Sequence, residues 1–275
     1  MKLKMKVLAV AMLAAASSAN AAIDLGTTGN SSLFLTIVDT TNNVSFLADL
    51  GKNFSDFNVA STNFANSGVT ASGTSFSWDM TTADWAPIYS TFVSAASASS
   101  NWKWAVSATD GAGTGAGSRS FISSYSSLGS SITTTQTIQA IGNFDSYLGP
   151  NTTSFTVATN MNTVANGAGV SNSGQGYAIG VGYKADGRFG GSSGGVIALQ
   201  SIGTDAGVAQ YVIAGSSLTP STRTLFDNGA KFNLASNGLL TYSTAPVTPV
   251  PEADTWMLML LGLGLMGYKS TRKAI

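Results

Sequence analysis

The side chains that could carry chemistry in this chain are uniform. Of its 13 acidic residues, twelve are aspartates, and the single glutamate, Glu252, lies near the C-terminus. Histidine and cysteine are absent. Ser-His-Asp triads, cysteine nucleophiles, His-based acid–base chemistry, Cys/His zinc sites and disulfide frameworks therefore cannot be built. A carboxylate pair for glycoside hydrolysis would have to come from the eleven aspartates between positions 22 and 250. Asp79 and Asp84 are the near neighbours, but Asp84 stands where a helix start would employ it. Asp and Asn oxygens are also the ligands calcium takes, so Asp39 beside Asn42 and Asn43, or Asp110, are its candidates, although no Asp-x-Asp-x-Asp loop occurs. The glycine-rich run 111–117 has the look of a phosphate loop. It lacks the Gly-Lys-[Ser/Thr] ending, and Arg119 is out of register, so a surface loop is expected. Trp102 and Trp104 alternate along a strand pattern and share one face, where they could stack on sugar rings; core packing is the competing use. The expectation is a non-enzyme with no catalytic residue, no metal site and no cofactor, calcium being the one alternative.

These residues must be positioned by strands. Ser, Thr, Asn and Gly make up 118 of 275 residues, and only 9% are charged against roughly 25% in ordinary soluble domains. Helix-rich chains use far more Glu, Lys, Arg and Leu, so this composition favours strands joined by tight turns. With 44% hydrophobic residues the chain can still bury a real core. Residues 32–39 and 44–50 read as a hairpin across Thr40-Thr41-Asn42-Asn43. Strands are expected at 75–78, 101–108, 177–183, 196–202 and 208–214, with a last hairpin formed by 231–234 and 239–242. Two helices interrupt them. One starts after a capping-box-like Thr81-Thr82-Ala83-Asp84 and aligns Trp85, Ile88, Tyr89, Phe92, Val93 and Ala96, with Pro87 in its first turn. The other spans 132–148, aligns Ile138, Ile141, Phe144 and Tyr147/Leu148, and stops at Gly149-Pro150. No fixed-period repeat is present. The expected fold is mainly β: sandwich-like antiparallel sheets with one or two packed helices, plus a C-terminal hydrophobic helix.

The two ends are addresses. Lys2, Lys4 and Lys6 precede an apolar run, 7–16, too short to span a bilayer, and Ala19-x-Ala21 fits a signal-peptidase site. Residues 1–21 are thus expected to be a signal peptide cleaved before Ala22, leaving 22–243 as a β-rich secreted body. Residues 244–251 (TAPVTPVP) form a Pro-rich, extended stalk. An uncharged apolar run follows at 256–268, then Lys269, Arg272 and Lys273. As a helix the run covers about 20 Å, against roughly 30 Å of hydrocarbon. Trp256 and the basic tail can extend its reach, with the tail on the cytoplasmic side. A marginal span with a basic stop suits a processing signal better than a permanent anchor.

Val250-Pro251-Glu252-Ala253, Trp256, the Leu/Gly-rich helix and the basic end together resemble the PEP-CTERM sorting signal of Gram-negative bacteria. The resemblance covers residues 250–275, and Ala253 stands where the motif usually has its second proline. It implies export to the periplasm, a transient inner-membrane intermediate, and recognition by an exosortase, a membrane-embedded cysteine transpeptidase. It implies further that the mature protein reaches the cell surface or exterior alongside exopolysaccharide, as a matrix or biofilm component. Between the two signals, seven basic residues against eleven aspartates leave the body near −4. Without a basic footprint, nucleic-acid binding is not expected. A non-enzymatic surface protein is the first functional reading; a carbohydrate-binding module or adhesin using Trp102 and Trp104 is the alternative.

Overall fold

The computed structural model describes residues 24–57, 73–82, 85–126, 131–148, 157–158, 167–172, 188–189, 197–215, 218–226 and 229–244. The expected strand at 177–183, Ala83-Asp84, the Gly149-Pro150 stop and the hydrophobic helix at 256–268 lie outside them. In chain order the strands are β1 (Ser32–Asp39), β2 (Val44–Asn53), β3 (Ser75–Asp79), β4 (Trp102–Asp110), β5 (Ser120–Tyr125), β6 (Val157–Ala158) and β7 (Ala168–Asn172). They continue with β8 (Arg188–Phe189), β9 (Ile197–Ala198), β10 (Gln200–Ser201), β11 (Ala206–Val212), β12 (Thr222–Leu225), β13 (Lys231–Leu234) and β14 (Leu239–Ser243). The helices are the single turn α1 (Phe54–Phe57), α2 (Ala86–Ala95) and α3 (Thr134–Leu148).

Twelve strands form one antiparallel sheet in the order β3-β14-β13-β11-β5-β4-β1-β2-β7-β6, with β10 added to β4 and β12 to β11. β8 and β9 pair separately. The hairpin that opens the sheet turns where the sequence places it. Asn43 takes a left-handed φ of 52°, and the Asp39 carboxylate accepts the Thr41 amide proton at 2.9 Å, an Asx-type closure.

The fold is mainly β, but its two facing layers belong to one curled sheet. Leu33, Leu35 and Ile37 of β1 join Phe46 and Leu50 of β2 on one face, together with Trp78, Phe232 and Tyr242 from the far arm. Phe57 meets Phe232 at 6.0 Å and Tyr242 edge-on at 5.3 Å, so the arms close on each other. The opposite face of the central strands carries Phe34, Val38, Leu47, Ala105 and Phe121. There α3 covers it, with Phe144 edge-on to both Phe34 and Phe121. Because β1 is buried on both faces, it carries apolar residues at consecutive positions, Leu33-Phe34-Leu35 and Ile37-Val38, broken only by the buried Thr36.

The helices depart from expectation in detail. In α2, Ile88, Tyr89 and Phe92 face the core, but Val93 is 44% exposed, because the buried stripe is narrower than the spacing suggested. Helix α3 begins at Thr134 behind a reciprocal capping box: Thr133 N–H donates to Gln136 Oε1 at 2.8 Å, and Gln136 N–H to Thr133 Oγ1 at 3.3 Å. The 196–202 strand breaks in two, since β9 pairs β8 while β10 pairs β4.

β5 was not legible in the sequence, yet it lies at the centre of the sheet. Its serines obscure the alternation, and one of them repairs a gap. The β4–β5 ladder ends at Ser107↔Ser123, and the β4–β10 pairing begins at Trp104↔Gln200. Between them the Val106 N–H donates to Ser124 Oγ at 2.9 Å, and that hydroxyl donates to Gln200 Oε1 at 3.0 Å. Ser124→Ala should therefore strand a buried amide and cost about 1–3 kcal/mol in urea unfolding. Ser126→Ala, beyond the strand, serves as the control with no comparable loss.

Candidate functional site

The sorting motif Val250-Pro251-Glu252-Ala253 and the cleavage residues Ala19 and Ala21 lie outside the described residues. The point where the body ends is on view. β14 finishes at Ser243, and Thr244 N–H donates to Thr74 O at 3.0 Å while Thr74 N–H donates to Thr244 Oγ1 at 3.0 Å. The chain divides into the compact units Met1–Ala245 and Pro246–Ile275, so the division falls inside the proline-rich stalk. Among the described residues no helix is long and apolar enough to cross a membrane.

The structure corrects the sugar-stacking role considered for Trp102 and Trp104. Both indoles are buried, at 4% and 0% exposure: Trp104 offers no ring face to a glycan, and Trp102 leaves only a sliver of its surface open. They share a face, as expected of alternate strand residues, but that face is the core. Trp102 packs edge-on to Phe92 at 4.9 Å, and its N–H donates to Ser97 O at 3.0 Å. The Trp104 N–H donates to Ser201 O at 3.0 Å, anchoring β10 against β4. A shallow depression does open between α2 and the β13–β14 turn, lined by Tyr89, Ser90, Val93, Ser94 and Asn237, with Trp102 also contributing to its wall. Burial, helped by the charge of Asp79, pushes the Tyr89 hydroxyl up to about 12, so it stays protonated.

The aspartates mostly serve the backbone. Asp39 accepts the amide protons of Thr41 and Ser97, tying the β1–β2 turn to the chain leaving α2. Burial raises this carboxyl, but those hydrogen bonds outweigh it and hold the group below its usual range. Asn42, the expected co-ligand, spends its Nδ2 on Ala95 O at 2.9 Å. Asp110 accepts Ala112 N–H at 3.1 Å, and burial pushes its carboxyl up. Asp79 is partly exposed at the end of β3; the Thr81 hydroxyl, then its amide, hold it low. Its proposed neighbour Asp84 lies outside the described residues. Among the described residues, no group of three or more acids gathers as a metal cage.

Two acids that sequence reasoning did not single out are the interesting ones. Asp145 reaches from α3 to accept Gly26 N–H at 2.8 Å and Thr27 N–H at 3.0 Å, clamping the first described turn. Gly26 is obligatory there, because a Cβ would sit 2.0 Å from Thr109 Oγ1. Asp49 is 1% exposed, and burial pushes its carboxyl up to about 6. Neither carries a motif; only long-range packing reveals them. The 111–117 loop closes on itself, with Arg119 Nε–H donating to Gly113 O at 2.6 Å.

If Trp102 and Trp104 are core residues, Trp102→Ala and Trp104→Ala should each lower unfolding stability by about 3–5 kcal/mol in denaturant titrations. A surface sugar platform would instead leave the unfolding midpoint unchanged.

No curated protein and no solved structure matches this chain. Residues 249–273, which hold Pro251 and Glu252, the apolar run and its basic end, match the family model of the PEP-CTERM protein-sorting motif, so the chain carries at its C-terminus the signal that marks an exported protein for an exosortase.

Proposed function

We propose that this protein is a non-enzymatic surface or matrix component of a Gram-negative bacterium. In this reading signal peptidase removes residues 1–21, and the apolar tail holds the chain briefly in the inner membrane. An exosortase then processes it near Pro251-Glu252, and the body passes to the cell surface or exterior, where it associates with exopolysaccharide. The sorting motif at 249–273 is the observation that carries the proposal.

The chemistry of the body supports it. Without His, Cys or Glu between residues 22 and 250, carboxylate chemistry would fall to aspartates, with a few lysines and tyrosines as the other proton-transfer groups. Asp39 and Asp145 each hold two backbone amides, and Asp110 holds one. Such carboxylates act as staples. A hydroxyl- and amide-rich surface of low charge suits a hydrated polysaccharide environment, and a body near −4 supports no role in nucleic-acid binding.

The stalk suits the same reading. From Thr244 to Pro251 there are eight residues; in an extended proline-rich conformation their seven steps reach about 22 Å at 3.1 Å per step. That length lets the transpeptidase approach its motif without unravelling β14. Truncation after residue 249 should thus leave far-UV circular dichroism and the melting midpoint of the exported body unchanged, while shifting it from its normal fraction to the soluble periplasm. Unchanged fractionation of the truncated chain would sink the sorting role.

A further inference from the structure

Helix α2 has an outer face that the core does not use. Val93 is 44% exposed, although it follows directly on the buried stripe of Ile88, Tyr89 and Phe92. It stands four residues after Tyr89, so the two side chains are neighbours along one helical row. Ser90 and Ser94 form the adjoining row; both are exposed, and the Ser94 hydroxyl donates to Ser90 O at 2.8 Å. Between this face and the β13–β14 turn lies the depression described above, with a volume of about 530 Å³. Small-ligand clefts occupy roughly 300–1,000 Å³, so it has room for one.

Tyr89 brings an unused polar group to it. Its side chain is only 5% exposed, and its ring is held edge-on to Phe46 at 5.4 Å. The phenol end reaches the turn at Gly238, where a Cβ would lie 2.8 Å from both its Cζ and its hydroxyl oxygen. Gly238 also takes a left-handed φ of 88°, so this approach is open to glycine alone. Among the described residues, none hydrogen-bonds the Tyr89 hydroxyl. A phenol buried this deeply ordinarily has a partner. Asn237, in the same turn, accepts Leu239 N–H through Oδ1 at 3.2 Å, and its Nδ2 has no described partner. No charged side chain is among the described residues that line the depression. Asp79 makes its charge felt at Tyr89, but the Thr81 hydroxyl and amide engage its carboxylate.

We propose that this depression binds a neutral hexopyranose unit of a polysaccharide, with Tyr89 Oη and Asn237 Nδ2 meeting its hydroxyls and Val93 packing against its C–H face. Neutral donors and acceptors around one aliphatic side chain match a sugar ring, whose rim is hydroxyl and whose face is apolar. An ionic ligand would lose its hydration here without gaining a counter-charge. Occupancy accounts for both oddities of the region, the exposed Val93 and the unpartnered phenol. Trp102 supplies part of the wall and no stacking face. The assignment rests on the polysaccharide association proposed above.

The test uses the full chain in a sugar-free polyoxyethylene detergent, run on native gels that contain polysaccharide. The probes are dextran, galactomannan and the exopolysaccharide of the cells that make the protein, with anionic alginate for comparison. Tyr89→Phe removes the hydroxyl and keeps the ring, whereas Val93→Lys sets a charge at an already exposed position. A neutral polysaccharide or the cells' own should retard the wild type. Tyr89→Phe should weaken that binding about three- to tenfold, the worth of one hydrogen bond, and Val93→Lys should weaken it further. Both variants should keep the wild-type melting midpoint. Should Val93→Lys melt lower, Ser90→Lys at the exposed neighbouring position takes its place. A lower midpoint for Tyr89→Phe shows that the hydroxyl serves the fold, and overturns the site. Retardation by alginate alone overturns the neutral ligand. A dimer that Val93→Lys dissociates in light scattering gives the depression to a second copy and overturns the sugar. Equal retardation of wild type and variants overturns the site but leaves the polysaccharide association standing, whereas no retardation by any probe overturns both.

Discussion

Four indole N–H groups hold this fold to its register. Trp78 donates to Leu50 O at 2.8 Å, Trp85 to Asp49 O at 3.1 Å, Trp102 to Ser97 O and Trp104 to Ser201 O. Each ring is buried, so each N–H must find an acceptor, and each acceptor is a main-chain carbonyl. One of them, Ser201 O, takes the Thr204 N–H as well, at 3.2 Å. Around Asp49 and Leu50 the β1–β2 register shifts between Ser32 and Phe34, and β7 pairing has ended at Ala48. Three of the four bonds join residues 28 to 97 positions apart. In a chain without cysteine, these contacts do the cross-linking that disulfides perform in many exported domains. Losing the ring would remove hydrophobic area and strand a polar group together.

Scarcity of charge imposes the same economy on the acids. With so few cations in the body, carboxylates find backbone amides instead of ion pairs. Asp39 joins a hairpin to the end of a helical segment, and Asp145 joins a helix to the N-terminal turn. The Lys231–Asp205 bridge at 3.3 Å is exposed on both sides and contributes little. Asp49 also takes a backbone amide, from Gly51 at 2.8 Å, but its burial outweighs that bond and pushes its carboxyl up.

Legibility tracked how local the causes were. The β1–β2 and β13–β14 hairpins were readable because apolar runs and turn residues are contiguous in sequence. α2 was readable from its spacing and the early Pro87, though its exposed Val93 was not. β5 escaped because Ser120, Ser123 and Ser124 are buried, with Ser124 serving a neighbouring strand's amide rather than solvent. β7, read as nothing in particular, is an ordered strand because β2 supplies its partner. Gly26 looked like any glycine, and only the approach of Thr109 and Asp145 makes it irreplaceable.

The sequence by itself determined the address. The sorting motif at 249–273 is contiguous, and a processing enzyme meets it as a local pattern of residue types, so no folding is needed to recognise it. Composition also determined the β class and removed most catalytic chemistries, because missing side chains cannot be restored by packing. The tertiary structure decided the use of the aromatics and acids. Whether Trp102 and Trp104 meet a sugar or a phenylalanine depends on which way the sheet curls. Whether an aspartate is a ligand, a staple or an unbalanced buried charge depends on donors tens of residues away. Both are long-range outcomes, set by the burial of area and the pairing of polar groups across the whole chain rather than by any neighbouring pattern.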